Sequence, residues 1–343
     1  MTKELLVVGK MQSSTRDSNM ELLRIMAMLL VMIIHADFLT LGIPTREDLA
    51  AEPMDTFMRY MIGGMSSVCV NVFVMISGWY GISFKIKRIG KLLFQTFFFV
   101  FLIFLVLVWP KGISVCLTEA KNFFLMEGYW FIAAYLLLCI MAPALNAFCE
   151  QASRSLLRNV LVAFFLYQTI FSYMGNSPWY DDGYSPLPFL GLYLLARYLR
   201  MYPNRFSKFK KGWDIFVWGV TSVIIAVLSM FLLFHGTGGR LYNYTSPLIL
   251  VSSTYFFLFF TKIHFKNNVV NWLGKSCFAA FLVHMNPHFI RRYYVEPICR
   301  WHSIEPGIIM VVHTAGYILC IFFIAILLDQ LQRYCSHLLK LDN

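Results

Sequence analysis

Charge is scarce in this chain. Lys, Arg, Asp and Glu make up 14% of its 343 residues, and hydrophobic types make up 59%. A soluble domain is about a quarter charged and just under half apolar. Mean hydropathy is +0.64, and 33 Phe, 18 Tyr and 8 Trp add to the apolar surface. This composition excludes an ordinary soluble domain and reads as an integral membrane protein. Other absences narrow the chemistry. The 8 cysteines include no Cys-x-x-Cys and no Cys/His group at zinc spacing, so no metal is expected. Cys69, Cys139, Cys277 and Cys320 sit in apolar runs, where a thiol behaves as a small hydrophobe; Cys116 and Cys299 leave one disulfide open. The lack of a Walker P-loop argues against ATP-driven transport, and there is no His-Glu-x-x-His helix or Gly-x-Ser-x-Gly elbow. No repeat or low-complexity tract interrupts the pattern.

The net charge of +11 does not imply nucleic acid, because the charges lie in short loops between apolar stretches. The basic run Arg200–Lys211 suits anionic membrane lipid better. Apolar stretches near spanning length fall at 20–42, 60–80, 92–110, 128–148, 159–175, 185–199, 214–234, 245–262, 272–290 and 306–330. The first, which carries Arg and His and lacks a small-residue cleavage site, reads as a retained span rather than a leader. Ten spans put both termini on one side. Of the 29 Lys and Arg, 20 then lie on that side, 8 on the other, and Arg24 within the membrane. The bias places the termini in the cytoplasm and the acidic loop Glu47, Asp48, Glu52, Asp55 outside. Trp109, Trp130, Trp179, Trp213 and Trp272 fall near span ends, as interfacial aromatics do. Lipid forces backbone groups to pair within each segment. The expected fold is therefore an all-α polytopic bundle of about ten transmembrane helices, with a cytoplasmic tail over 1–18 and one membrane domain over 19–343.

Two residues of the first span stand out. Arg24 and His35 are eleven residues apart, which on a helix is three turns plus about 20° and a rise of about 16 Å. Arg24, Met28, Val31 and His35 share one stripe, and Asp37 lies about 200° round the helix. A guanidinium and an imidazole at membrane depth are costly unless they face a protein cavity. A lone histidine there reads as a packing residue bonded to a neighbouring helix. With Arg24 on its stripe, His35 reads instead as a base for a reacting hydroxyl. Arg24 has two readings, an ion pair with Glu21 and a phosphate-binding fork. The second span ends in Ser77 and Gly78 and runs into Lys85, Lys87, Arg88 and Lys91. That cluster serves topology and lipid anchoring, or receives phosphates from the cytosol. Ser77 is a possible acceptor or secondary-site residue. In the ninth span Pro287 should break the helix just after His284, which reaches a depth near that of His35. Arg291, Arg292, Tyr293, Tyr294 and Arg300 follow on the outer side, where they suit interfacial snorkelling or an anionic or sugar-bearing acceptor.

These segments together resemble the membrane acyltransferase-3 family, which O-acylates cell-surface polysaccharides, lipopolysaccharide and related acceptors. Arg16 to His35 carries an Arg-x10-His signature. Phe73-Val-Met-Ile-Ser77-Gly78-Trp79 is similar to the family's Phe-x-x-Ser-Gly-aromatic element, with Trp where Phe or Tyr is more usual. Tyr129-Trp130-Phe131, Tyr135, Pro143 and Asn146 follow in order, as do Leu187-Pro188-Phe189, Gly191, Tyr193, Leu273-Gly-Lys-Ser276 and Leu282-Val-His284. The resemblance covers nearly the whole chain. It implies about ten helices, an acyl-CoA donor, usually acetyl-CoA, an acyl-transfer role for His35 and an essential Arg24. Lys85, Lys87 and Arg88 occupy the place of the family's cytoplasmic basic motif, with its Arg-rich form only partly kept.

The sequence therefore suggests an O-acyltransferase of the bacterial cytoplasmic membrane. Arg24, Lys85, Lys87 and Arg88 would hold acetyl-CoA. His35 and Arg24 would serve catalysis, with Ser77 and His284 as secondary candidates. The acceptor would be a glycan or lipid-linked saccharide. Membrane lipid is the expected surrounding, and no nucleic-acid partner is expected. A secondary transporter or flippase for a lipid-linked glycan is the alternative, since intramembrane charge and broken helices suit transport too.

Overall fold

The computed structural model describes residues 17–112, 114, 116, 128–175, 177–203, 208–234, 238–305 and 307–339. Residues 1–16 of the expected tail over 1–18, and the middle of the basic run, 204–207, lie outside the described residues. Those described form helices joined by short loops, with no strand among them. In chain order the helices are α1 (Ser18–Ile34), α2 (Arg46–Ala51), α3 (Pro53–Ser66), α4 (Cys69–Tyr80) and α5 (Ile86–Ile103). They continue with α6 (Trp130–Gln151), α7 (Arg154–Tyr167), α8 (Pro186–Met201), α9 (Lys211–Leu233) and α10 (Pro247–Thr261). The last five are α11 (Asn268–Ser276), α12 (Phe278–His284), α13 (Pro287–Ile290), α14 (Glu296–Ile304) and α15 (Gly307–Leu338). Wider π-turns extend α1 over His35–Leu39 and α5 over Phe104–Val108.

Eight helical stretches among the described residues are long and apolar enough to cross a bilayer. Two of the ten expected spans take shorter forms. The segment near 185–199 is the 16-residue α8. The segment near 272–290 is split into α11, α12 and α13. Pro287 stands at the start of α13, where its missing N–H costs nothing, and the Asn286 side chain caps that helix by accepting from His288 N–H. Broken backbone at this depth is satisfied only inside protein, and α12 is buried from Ala279 to His284.

Burial identifies the centre of the bundle. Half of the α1 span is buried and 72% of the stretch Pro53–Tyr80, against 28% for the α15 span. Leu23, Ala27 and Met32 of α1 are fully enclosed by a core drawn from α4, α6, α8, α10 and α12. The peripheral helices instead expose Phe231, Val312 and Leu327, as a lipid-facing surface should. Charged groups at depth are paired. Asp214 meets Lys262 at 2.6 Å and Asp37 meets Arg59 at 2.7 Å. Asp329 on α15 accepts from Gln95 of α5 and from Arg333, each at 2.7 Å, and Arg333 also donates to Lys275 O of α11. All described cysteines are free, Cys116 and Cys299 included.

Candidate active site

The Arg24–His35 stripe faces internal space. α1 keeps α-helical geometry up to His35, whose N–H bonds Val31 O and Met32 O before the π-turn begins. Three neighbouring cavities lie along it. The first, about 360 Å3, is bordered by Arg24, Ser77, Tyr135 and the strip Tyr80 to Lys85 with Arg88. The second, about 240 Å3, shares Arg24, Ser77 and Tyr135 with the first and reaches Phe73, Phe131 and Phe278. The third, about 40 Å3, begins at those three rings and contains Met28, Val31 and His35. The cavities thus follow one another from the Lys85–Arg88 end to His35, neighbours sharing lining residues, with Arg24 and His35 about 16 Å apart along the helix.

At the end of the path two imidazoles meet. His35 Nδ1 lies 3.0 Å from His284 Nε2, and His284 Nδ1 lies 2.6 Å from Ala280 O. The carbonyl can only accept, so His284 Nδ1 carries a proton. In a neutral imidazole the other nitrogen is then bare, and His284 Nε2 must accept from His35 Nδ1–H. That leaves the lone pair on His35 Nε2. The hydrogen-bond network thus sets both tautomers. The chain Ala280 O, His284, His35 is a relay of the kind that orients a histidine base. Its members are held firmly. His284 is fully buried and its ring lies against Tyr294 and Phe281. Tyr294 donates to Met32 O at 2.5 Å, and Tyr129 to Leu282 O at 2.7 Å. Asn286 donates to the Tyr129 hydroxyl at 3.1 Å.

At the other end Arg24 does two things at once. Its Nη1 bonds Glu21 Oε1 at 2.7 Å, and its side chain stays 30% exposed while Glu21 is almost enclosed. The guanidinium is therefore oriented by Glu21 and still borders both larger cavities. α11 presses close here, since a Cβ on Gly274 would sit 2.6 Å from Glu21 Oε2 and 3.0 Å from Glu21 O. The basic turn after α4 is held by a small polar clamp. Tyr193 accepts from Ile82 N–H at 2.8 Å and donates to Asn146 Oδ1 at 2.7 Å, and Asn146 donates to Ile82 O at 2.9 Å. α4 and α8 touch backbone to backbone at Gly78, where a Cβ would lie 2.5 Å from Tyr193 O. Gly78→Ala is expected to cost about 1–3 kcal/mol through this overlap, seen as a lower thermal midpoint of the detergent-solubilised protein. An unchanged midpoint would mean the helices separate freely.

The structure brings His35 and His284 into contact, and it gathers Arg24, Ser77, Lys85 and Arg88 around the larger cavities. Lys87 is exposed and does not border them. Ser77 hydrogen-bonds the Tyr135 hydroxyl at 3.1 Å and Phe73 O at 3.2 Å, so it belongs to the path and not to the histidine pair. Trp130, read from sequence as an interfacial ring, is instead a wall of the His35 cavity together with Tyr184 and Tyr244. Tyr294, grouped with the outer basic residues, is buried behind His284. Tyr184 and Tyr244 come from loops and had no spacing signal. The part played by Ala280 O has none either, because it is a backbone atom.

Neither the curated proteins nor the solved structures compared with the chain match it. A family model described as an acyltransferase domain matches residues 17–329, a stretch that holds the histidine pair, the path and the basic turn. The chain belongs to the acyltransferase-3 family and is a multi-pass membrane acyltransferase.

Proposed function

We propose that the protein moves an acetyl group from acetyl-CoA to a hydroxyl of an envelope glycan or lipid-linked saccharide in the bacterial cytoplasmic membrane. The observation that carries this reading is the row of cavities from Lys85 and Arg88 past Arg24 to His35, whose Nδ1 is engaged by His284 and whose Nε2 is left bare. The donor's phosphates would rest on Arg24, Lys85 and Arg88 at the cytoplasmic end, with Lys87 adding charge to the approach. The pantetheine arm would run beside Ser77 and Tyr135 and carry the thioester to His35. The acceptor would arrive from the opposite side, over the Trp130, Tyr184 and Tyr244 rings, which suit the apolar face of a sugar.

Two routes balance. In one, His35 Nε2 takes the acceptor's hydroxyl proton, the oxygen attacks the thioester carbonyl and the C–S bond breaks. The coenzyme leaves as thiolate and regains that proton from the imidazolium. In the other, Nε2 attacks first and forms an acyl-imidazolium, with the proton still on Nδ1, as the thiolate leaves. The acceptor oxygen then attacks, the C–N bond breaks, and the hydroxyl proton ends on the thiolate. Both need the lone pair on Nε2, and both use His284 only to keep it there.

Coenzyme release in membranes tests the donor. Free thiol is expected to appear with acetyl-CoA and acceptor glycan. No release with any acyl-CoA while a lipid-linked glycan crosses the membrane would favour the flippase reading. Arg24→Gln should raise the KM for acetyl-CoA at least about tenfold, the loss of one charge-assisted phosphate contact of about 1.5–3 kcal/mol. An unchanged KM would confine Arg24 to its Glu21 pair.

A further inference from the structure

The three cavities differ sharply in size, and the smallest is the one that holds the base. The two nearer the basic end measure about 360 and 240 Å3, and the one beside His35 about 40 Å3. On this measure one water needs roughly 10–15 Å3, so the last cavity admits three or four heavy atoms. An acetyl group has three. The passage into it is bounded by Phe73, Phe131 and Phe278, which border both spaces. Phe131 packs against Phe73 at 6.3 Å, Phe278 at 6.4 Å and Phe281 at 5.9 Å between ring centroids. Phe281 borders the small cavity and not the larger ones, is itself buried, and its ring lies 6.1 Å from that of His284. Phe131 meets Phe73 and Phe281 edge to face, and Phe278 stacks on Phe281; rings packed on one another in this way do not yield space cheaply.

The walls also decide charge. Apart from His35, the described residues bordering this cavity are Met, Val, Phe, Trp and Tyr, with no Lys or Arg. A carboxylate delivered there would be buried without a cation, which is strongly unfavourable.

Resting on the acyl-transfer reading above, we infer that the phenylalanine cluster Phe73, Phe131, Phe278 and Phe281 is an acyl-length gauge that passes only a short, uncharged acyl group to His35. Phe281 sets the depth and the other three set the neck. Donor choice is then made at the acyl end, 16 Å or so from the phosphates, since the wider cavities would take any acyl-CoA.

The test is the rate of coenzyme release in membranes with acetyl-, butyryl-, hexanoyl- and succinyl-CoA, with acceptor present. In the wild type, acetyl is expected to exceed hexanoyl at least about 100-fold, and succinyl should be slower still than hexanoyl, which has the same number of heavy atoms but no charge. Phe281→Ala should raise the hexanoyl-to-acetyl ratio at least about tenfold, with Phe281→Leu, a milder change, in between. The ratio is read within each variant, so a smaller amount of folded protein cancels. Equal wild-type rates with acetyl and hexanoyl, or ratios unmoved by both variants, would overturn the gauge alone. Release from no donor at all would overturn the acyl-transfer reading and the gauge with it.

Discussion

His35→Ala should lower acyl transfer by about 10³-fold or more while leaving the KM for the acyl donor nearly unchanged. A positioned general base contributes about 10²–10⁴-fold, and a nucleophile that carries the acyl group would cost at least as much to remove. In the proposed reading the donor's phosphates would bind far from this ring, at Arg24, Lys85 and Arg88, which border the larger cavities and not the one beside His35. A loss in kcat without a loss in KM is the sign of an interaction made only in the reaction itself. The alternative, in which His35 is a packing residue, predicts a different pattern. Removing it would then unsettle α1 against α12, and both parameters would drift with the amount of folded protein. Folded yield and kcat measured together for His35→Ala and His35→Gln separate the two. Normal yield with lost kcat in both variants supports the base, since a glutamine amide fills the ring's space but cannot take the proton.

The second large effect is at His284, which touches no substrate in this account and acts through His35. His284→Leu removes the acceptor for His35 Nδ1–H, so the His35 proton is free to move to Nε2 and block the lone pair. The expected loss in kcat is about 10²-fold or more, as for other histidine bases deprived of their orienting group. His284→Gln keeps a carbonyl oxygen near the position of Nε2 and should retain activity within about tenfold of the wild type. A merely structural His284 would show the reverse order or none, since leucine suits the apolar pocket formed by Phe281 and Tyr294 better than an amide does. The deciding readout is thus rescue by the polar variant, at equal folded yield and equal donor KM.

Much of this arrangement was legible in the chain because helix periodicity is strict. The eleven-residue spacing put Arg24 and His35 on one stripe, and α1 stays α-helical until His35, so the stripe survives folding. Pro287 announced the break that leaves His284 at the end of α12. The long apolar runs announced the helical bundle, since lipid leaves the backbone no other partner. What could not be read is contact between segments distant in sequence. Nothing in the spacing of His35 and His284, 249 residues apart, says that their nitrogens meet. The loop tyrosines Tyr184 and Tyr244 carry no period at all. Trp130 sits at a helix start in either case, and only packing decides whether it faces lipid headgroups or the His35 cavity. The basic cluster shows the same limit at finer grain: Lys85 and Arg88 border the cavity and Lys87 does not, which follows from the turn after Gly81 and from the clamp that Asn146 and Tyr193 place on Ile82.

The most direct test of the central claim follows the acyl group itself. Membranes containing the wild-type chain or His35→Ala, at equal folded amounts, are given acetyl-CoA labelled on the acetyl carbon together with native envelope glycan. The account predicts label in the glycan fraction and matching free thiol with the wild type, and neither with His35→Ala. Label transferred equally by both would contradict it, because the acetyl group would then be crossing the bundle without the lone pair on His35 Nε2.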